Sequence, residues 1–147
     1  MSCDNKLLLG LKINNIAACQ FWFEGGLSSP CSPIFIMDEY DSCWNMSLND
    51  ENHEWEISFE RVAFPEIGSI ILGDDMEWRN VGVENSNKLV GQKITTFKKY
   101  FFEDKSCAVL KCENGWGILA AHYFTLETDV FQISKTFDSP NIDWPIG

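Results

Sequence analysis

Two histidines, six cysteines and 22 carboxylates are the side chains of this 147-residue chain best suited to chemistry. General acid-base catalysis most often uses His, and nucleophilic catalysis needs a Ser or Cys beside a base that a third group orients. His53 stands in the polar segment from Asn49 to Glu54 and reads as solvated. His122 lies among Ala121, Tyr123 and Phe124 and reads as a half-buried histidine satisfied by the fold. Gly25-Gly26-Leu27-Ser28-Ser29-Pro30 has the wrong spacing for a nucleophile elbow. Gly115-Trp116-Gly117 lacks the third glycine of a dinucleotide fingerprint, and its Trp crowds a pyrophosphate. Cys19, Cys31 and Cys43 are equally spaced, whereas zinc sites want close Cys or Cys/His pairs. With Cys3, Cys107 and Cys112 they are expected as small buried thiols. Asp74 with Asp75, or Asp38 with Glu39 and Asp41, have the chemistry of a Mg²⁺ or Ca²⁺ site or a hydrolase pair. No calcium-hand loop surrounds them, and in so acidic a chain adjacent acids arise without purpose. The expectation is no catalytic centre, no metal and no cofactor.

The elements that position these residues read as β-rich. Glu54-Trp55-Glu56-Ile57-Ser58-Phe59-Glu60 alternates, which turns Trp55, Ile57 and Phe59 to a core and the carboxylates to water. Cys107 to Cys112 and Trp116 to Ala120 flank Glu113-Asn114-Gly115, a hairpin signal. Ile34 to Met37 reads as a strand, and Asp38-Glu39-Tyr40-Asp41 as an acidic turn after it. Gly25 to Pro33, with two glycines and two prolines, reads as a loop. Ala63 to Ser86 reads as a connector with a strand at Ile67 to Leu72. Ala120 to Glu127 fits a short helix, although His122 to Leu126 fits a strand equally. The tail from Asp138 holds Pro140 and Pro145 and reads as irregular, pinned by Trp144.

The chain also repeats itself. Asn5-Lys6-Leu7 leads to Gly10-Leu11-Lys12-Ile13, and Asn87-Lys88-Leu89 leads to Gly91-Gln92-Lys93-Ile94. Phe21-Trp22-Phe23-Glu24 then parallels Tyr100-Phe101-Phe102-Glu103, Trp44 parallels Trp116, and Glu56-Ile57-Ser58 parallels Gln132-Ile133-Ser134. An internal duplication over 5–60 and 87–135, joined by a connector at 61–86, follows from this order. The first copy is expected to have lengthened and acidified its loops. The predicted fold is mainly β, or β-rich α+β, with two related antiparallel sheets packed as one domain.

The formal net charge is −11 and the pI is about 4.4. Residues 38 to 77 contain twelve acids against the single base Arg61, so that stretch carries the whole excess. Such a surface repels nucleic acid and anionic membranes. With 45% hydrophobic residues the chain is expected to fold, and its length suits one domain. The amino terminus lacks the basic start and long apolar run of a signal peptide, so a cytoplasmic location with reduced thiols is expected.

Protein interfaces favour aromatic anchors ringed by charge. The candidate partner-binding residues are Asp38, Glu39, Tyr40, Asp41, Trp44, Asp50, Glu51, Glu54, Asp74, Asp75, Glu77 and Trp78. Among the aromatics, Tyr40 and Trp78 are expected to be most exposed, with Trp44 next. A short, acidic, aromatic-rich chain carrying Asp38 to Glu77 with Tyr40, Trp44 and Trp78 resembles the bacterial immunity proteins that neutralise nuclease toxins, including those of contact-dependent growth inhibition. The resemblance is one of type and implies no particular fold. It implies a cytoplasmic, non-enzymatic protein whose carboxylates take the place of phosphates in or beside a basic toxin cleft. Two other readings are a small-ligand domain with a pocket between the halves, and an enzyme using His122 with a nearby carboxylate or Cys.

Overall fold

Alternating apolar residues make this an antiparallel β protein. The computed structural model describes residues 8–31, 33–60, 63–126 and 128–135. The first sheet contains β1 (Ile13–Phe23), β2 (Gly26–Ser29), β3 (Ile34–Asp38), β4 (Cys43–Leu48), β5 (Trp55–Glu60), β6 (Ile70–Gly73) and β7 (Met76–Gly82). Its order is β5-β4-β3-β1-β7-β6, with β2 paired to the carboxy-terminal end of β1. A 3₁₀ turn at Ser86–Lys88 leads to the second sheet, β8 (Ile94–Phe101), β9 (Lys105–Cys112), β10 (Trp116–Tyr123) and β11 (Thr128–Lys135), in the order β11-β10-β9-β8.

The sheets pack face to face because each strand turns alternate apolar side chains to one side. Ile16, Ile34, Ile36, Met46, Trp55 and Ile57 of the first sheet share one buried cluster with Leu110, Ile118 and Ile133 of the second. Trp55 is fully buried, and its indole N–H donates to the Ser106 carbonyl at 3.0 Å, which ties the sheets together. Phe59, expected in the core, is half exposed, because it lies near the end of the edge strand β5, where it meets Trp44 edge-on at 5.4 Å.

Three expectations change. Gly25 to Pro33 is not all loop: Glu24 and Gly25 both take positive φ, 51° and 80°, the type I′ geometry that reverses β1 directly into β2. The prolines follow the end of β2 and remove no ladder donor from it. The segment from Ala120 is strand as far as Tyr123, paired residue by residue with β9 and β11, and not helix. The connector is no linker, since its β7 pairs with β1 from Ala17↔Gly82 to Phe23↔Met76.

The two sheets share a plan. β1-β3-β4-β5 and β8-β9-β10-β11 are antiparallel runs with the same neighbour order. Their entry segments exchange reciprocal bonds: Gly10 N–H donates to the Ile94 carbonyl at 2.8 Å, and Gly91 N–H to the Ile13 carbonyl at 2.7 Å. Ile13 N–H donates to Gln92 O at 3.0 Å, and Ile94 N–H to Leu11 O at 2.9 Å. Each strand then bulges at the same place, between Ile13 and Asn15 and between Ile94 and Thr96. Glu39 accepts from Lys12 N–H at 3.1 Å as Glu113 accepts from Lys93 N–H at 3.4 Å.

Register departs from the correspondences read in the sequence. Trp44 lies opposite Ile36 and Ile118 opposite Leu110, so Ile118 and not Trp116 is the spatial counterpart of Trp44. Ile57 likewise corresponds to Phe131, not Ile133. The turns also differ from expectation. Met37↔Cys43 and Lys111↔Gly117 bracket turns of equal length, as do Leu48↔Trp55 and His122↔Asp129. The first unit is longer only between β1 and β3, where β2 is inserted. Cys3, the start of the first repeat at Asn5 to Leu7, Arg61 and the tail from Asp138 with Trp144 lie outside the described residues.

Candidate functional site

The candidate acids divide among three turns. At the amino-terminal end of β1, the β3–β4 turn holds Asp38, Glu39, Tyr40 and Asp41. Asp38 follows Ile34 and Ile36 on the inward-facing side and is only 2% exposed. Its Oδ1 accepts from Tyr40 N–H at 2.8 Å and Ser42 N–H at 3.0 Å, and its Oδ2 from the Trp44 indole at 2.9 Å. Asp38 and Trp44 are therefore internal braces, which corrects the expectation that both belong to the presented surface. Glu39 is bonded to Lys12, and Asp41 accepts from Asn14 Nδ2 at 3.2 Å. Tyr40, 73% exposed, projects from the turn as expected.

The β4–β5 turn holds Asp50, Glu51 and Glu54. Asp50 and Glu51 are exposed, while Glu54 pairs with Lys99 of β8. His53 stacks on His122 at 5.3 Å between ring centroids. His122 Nδ1 meets Asp129 Oδ1 at 2.5 Å across the β10–β11 pair. In register this pair replaces Leu48 opposite Trp55 in the first sheet, so the sandwich core ends in a polar layer here. A base and its orienting carboxylate are thus adjacent. The hydroxyl that reaches them, Ser29 Oγ at 3.4 Å, donates to Asp129 and not to His122, unlike a nucleophile activated by its base. Cys31 is buried, and desolvation followed by the Asp129 charge pushes its thiol strongly upward, away from the reactive thiolate. Among the described residues no three His, Cys, Asp or Glu side chains are placed to share a metal ion.

The third turn lies at the opposite end of β1 from Asp38. Ile13↔Asp38 and Phe23↔Met76 mark the two ends of an eleven-residue strand, so about 30 Å of extended chain separates them. Here β2, the end of β1, β7 and β6 form a four-stranded wing. Glu24 N–H donates to the Asp75 carbonyl at 2.8 Å, joining the β1–β2 and β6–β7 hairpin tips. Asp75 takes φ 58°, a left-handed conformation that Asp tolerates better than most residues. The two tips bring Glu24, Asp74, Asp75 and Glu77 together. The one base of the wing strands, Arg79, is already bonded to Glu77 at 2.8 Å and lies 4.1 Å over the Trp22 ring.

The side chains between these acids are apolar. On β1, Ile16 and Ala18 point into the sandwich, and alternation carries the same face outward through Gln20 to Trp22. Cross-strand pairing adds Arg79 and Glu77 of β7, then Ile70 and Leu72 of β6, to that face. The opposite face carries Phe21 and Trp78, whose rings lie 5.4 Å apart. Trp22, Leu72, Met76, Glu77, Glu24 and Asp75 line a groove of about 510 Å³ at the tip. Leu72 is 72% exposed, Ile71 60% and Ile70 54%, and Phe23 and Leu27 are exposed as well. The inner face of the first sheet therefore continues beyond the apolar cover that buries it elsewhere.

Of the twelve candidate residues, the wing unites Asp74, Asp75, Glu77 and Trp78; Trp78 is half-buried. Sequence reasoning missed Glu24, Trp22, Leu72 and Ile70. The pairing of β1 with β7 assembles them, and only the exposed apolar run Ile70-Ile71-Leu72 hinted at it. Between the sheets the shared cluster fills the interface, and at its margin a groove of about 450 Å³ lies between the first sheet and β11, lined by Gln20, Val83, Asn85, Phe131, Gln132 and Ile133, the last a member of that cluster. No helix among the described residues is long and apolar enough to cross a membrane. The chain matches no family model, no curated protein and no solved structure.

Proposed function

We propose that this is a non-enzymatic binding protein that neutralises a basic partner, a toxin nuclease in the class of cytoplasmic bacterial immunity proteins, through the acidic and aromatic wing. The observation that carries the reading is the exposed Ile70 and Leu72 beside the half-buried Trp22, rimmed by Glu24, Asp74, Asp75 and Glu77. Monomeric proteins seldom expose a large contiguous apolar patch, and a rim of one charge sign selects partners of the other. The wing is also what distinguishes the two four-strand runs. We read these runs as copies of one unit, of which the first gained β2 at one edge of β1 and β6–β7 at the other.

The partner to test is the product of the neighbouring gene, in which a basic domain is expected. Reversal of Glu24, Asp74, Asp75 and Glu77 to Lys lowers affinity for that domain and flattens its salt dependence. Reversal of Glu39 and Asp41, at the far end of β1, leaves both unchanged. Equal behaviour of the two variants removes the wing from the account.

A further inference from the structure

A sheet edge is a template for another strand, and proteins guard edges with charge, proline, bulges or cover. β5 has Glu56 and Glu60 in its sequence, β8 has Lys98 and Lys99, and β11 has Asp129 and Lys135. β2 is four residues long, runs into Pro30 and is tied to β11 through Ser29 and Asp129. β6 is as short as β2 but has no charge, proline, bulge or cover. Its sequence is Ile70-Ile71-Leu72-Gly73, every residue of it is exposed, and β7 is its neighbour in the sheet.

The direction of its free groups follows from register. Gly73↔Met76 closes a two-residue turn and is a hydrogen-bonded pair, so Ile71↔Trp78 is the next such pair. The Asn80 N–H bond to the Ser69 carbonyl at 3.0 Å continues the same alternation. Ile70 and Leu72 therefore turn their N–H and C=O groups away from β7, toward the open edge. The side chains of those same two residues belong to the inner wing face with Trp22 and Glu77.

Resting on the wing reading above, we propose that β6 is extended by one strand of the basic partner, an exposed segment of alternating apolar and Lys or Arg residues. Its main chain pairs with Ile70 and Leu72, its apolar side chains continue the Trp22 and Leu72 face, and its cations, on the alternate face, meet Asp74 and Asp75 of the turn at one end. Main-chain bonds give such a complex its affinity, and the flanking side chains give it specificity. Charge selects this occupant over a second copy, which would bring −11 against −11.

The test uses the full chain and a synthetic peptide, acetyl-Lys-Val-Lys-Val-Lys-Val-Lys-amide, with a control N-methylated on alternate residues to block main-chain pairing. The unmodified peptide is expected to slow amide exchange at Ile70 and Leu72 and to bind at least tenfold more tightly than the control. Leu72→Pro removes an edge-facing N–H that β7 does not use, so it abolishes that preference while the thermal transition of the free protein is retained. If that variant unfolds, Leu72→Lys, which places a guard charge on the edge, gives the same readout. Equal binding of both peptides overturns strand addition while leaving charge-driven docking on the wing intact. No binding by either, or slowed exchange at Ile70 and Leu72 that rises with protein concentration without peptide, also overturns it. Loss of binding to the whole basic domain on charge reversal is scored separately and decides the wing reading by itself.

Discussion

Asp38 is the residue where a candidate for binding became a brace, and replacing it measures how much the brace contributes. Its carboxylate accepts three hydrogen bonds while 98% of its surface is removed from water. A bond to an ionised group contributes about 1.5–3 kcal/mol, and a buried donor left without a partner costs about 1–3 kcal/mol. Water can reach the Tyr40 and Ser42 amides of the turn, but the indole of Trp44 is only 4% exposed. Asp38→Ala therefore destabilises the fold by about 3–5 kcal/mol, with most of the loss at Trp44 and the remainder in the turn. Asp38→Asn has one oxygen for two separate acceptor positions. Whichever way its amide is turned, an NH₂ faces a donor, at a cost of about 2 kcal/mol. Urea unfolding followed by far-UV circular dichroism reads both numbers without depending on indole fluorescence. Trp44→Phe in the Asp38→Asn background removes the opposing donor and recovers at least about 1 kcal/mol of coupling in the double-mutant cycle. If both Asp38 variants stay within about 0.5 kcal/mol of the parent, the brace reasoning is wrong. Greater stability in Asp38→Asn would show that relief of the net negative charge outweighs the lost bonds.

Gly10 and Gly91 hold equivalent places in the reciprocal bonds between the sheets, with φ 90° and 82° and no atom near an added Cβ. Gly10→Ala and Gly91→Ala should each cost about 1–2 kcal/mol from backbone strain alone, and a difference above about 1 kcal/mol in urea unfolding would argue against their equivalence. Burial pushes the Cys107 and Cys112 thiols up to about 12 from 9.0, so the folded state retains protons that the unfolded state releases. The associated stability is complete below pH 9 and is lost as pH rises toward 12; unchanged urea midpoints between pH 8 and 11 would contradict this. Iodoacetamide at pH 8 should modify neither thiol until the protein unfolds, as peptide mass mapping would show.

Local pattern and long-range register contributed differently to what the chain disclosed. Trp55 and Ile57 were legible as core because alternation is a property of neighbouring residues, and Asn114-Gly115 announced the β9–β10 hairpin in the same way. The positions Gly10, Lys12 and Ile13 against Gly91, Lys93 and Ile94 also anticipated the two reciprocal entries. By contrast, Asp38 turns inward as the last residue of β3 after Ile34 and Ile36, where the acidic run had read as turn, and β2 depends on two positive φ values at Glu24 and Gly25 without an Asn-Gly signal. The wing was hidden for a further reason. Glu24 and Asp75 are 51 residues apart, and only the β1–β7 pairing brings their hairpin tips together. A charge count along the chain located the acidic stretch but could not divide it among three turns, two of them at opposite ends of β1.

The central claim is that the wing is the contact surface, and amide hydrogen exchange on the complex with the basic partner tests it most directly. The account predicts slowed exchange in residues 20–27 and 70–79, with the turns at 39–42 and 50–54 exchanging as in the free protein. Slowed exchange confined to those two turns, with the wing unchanged, would contradict it.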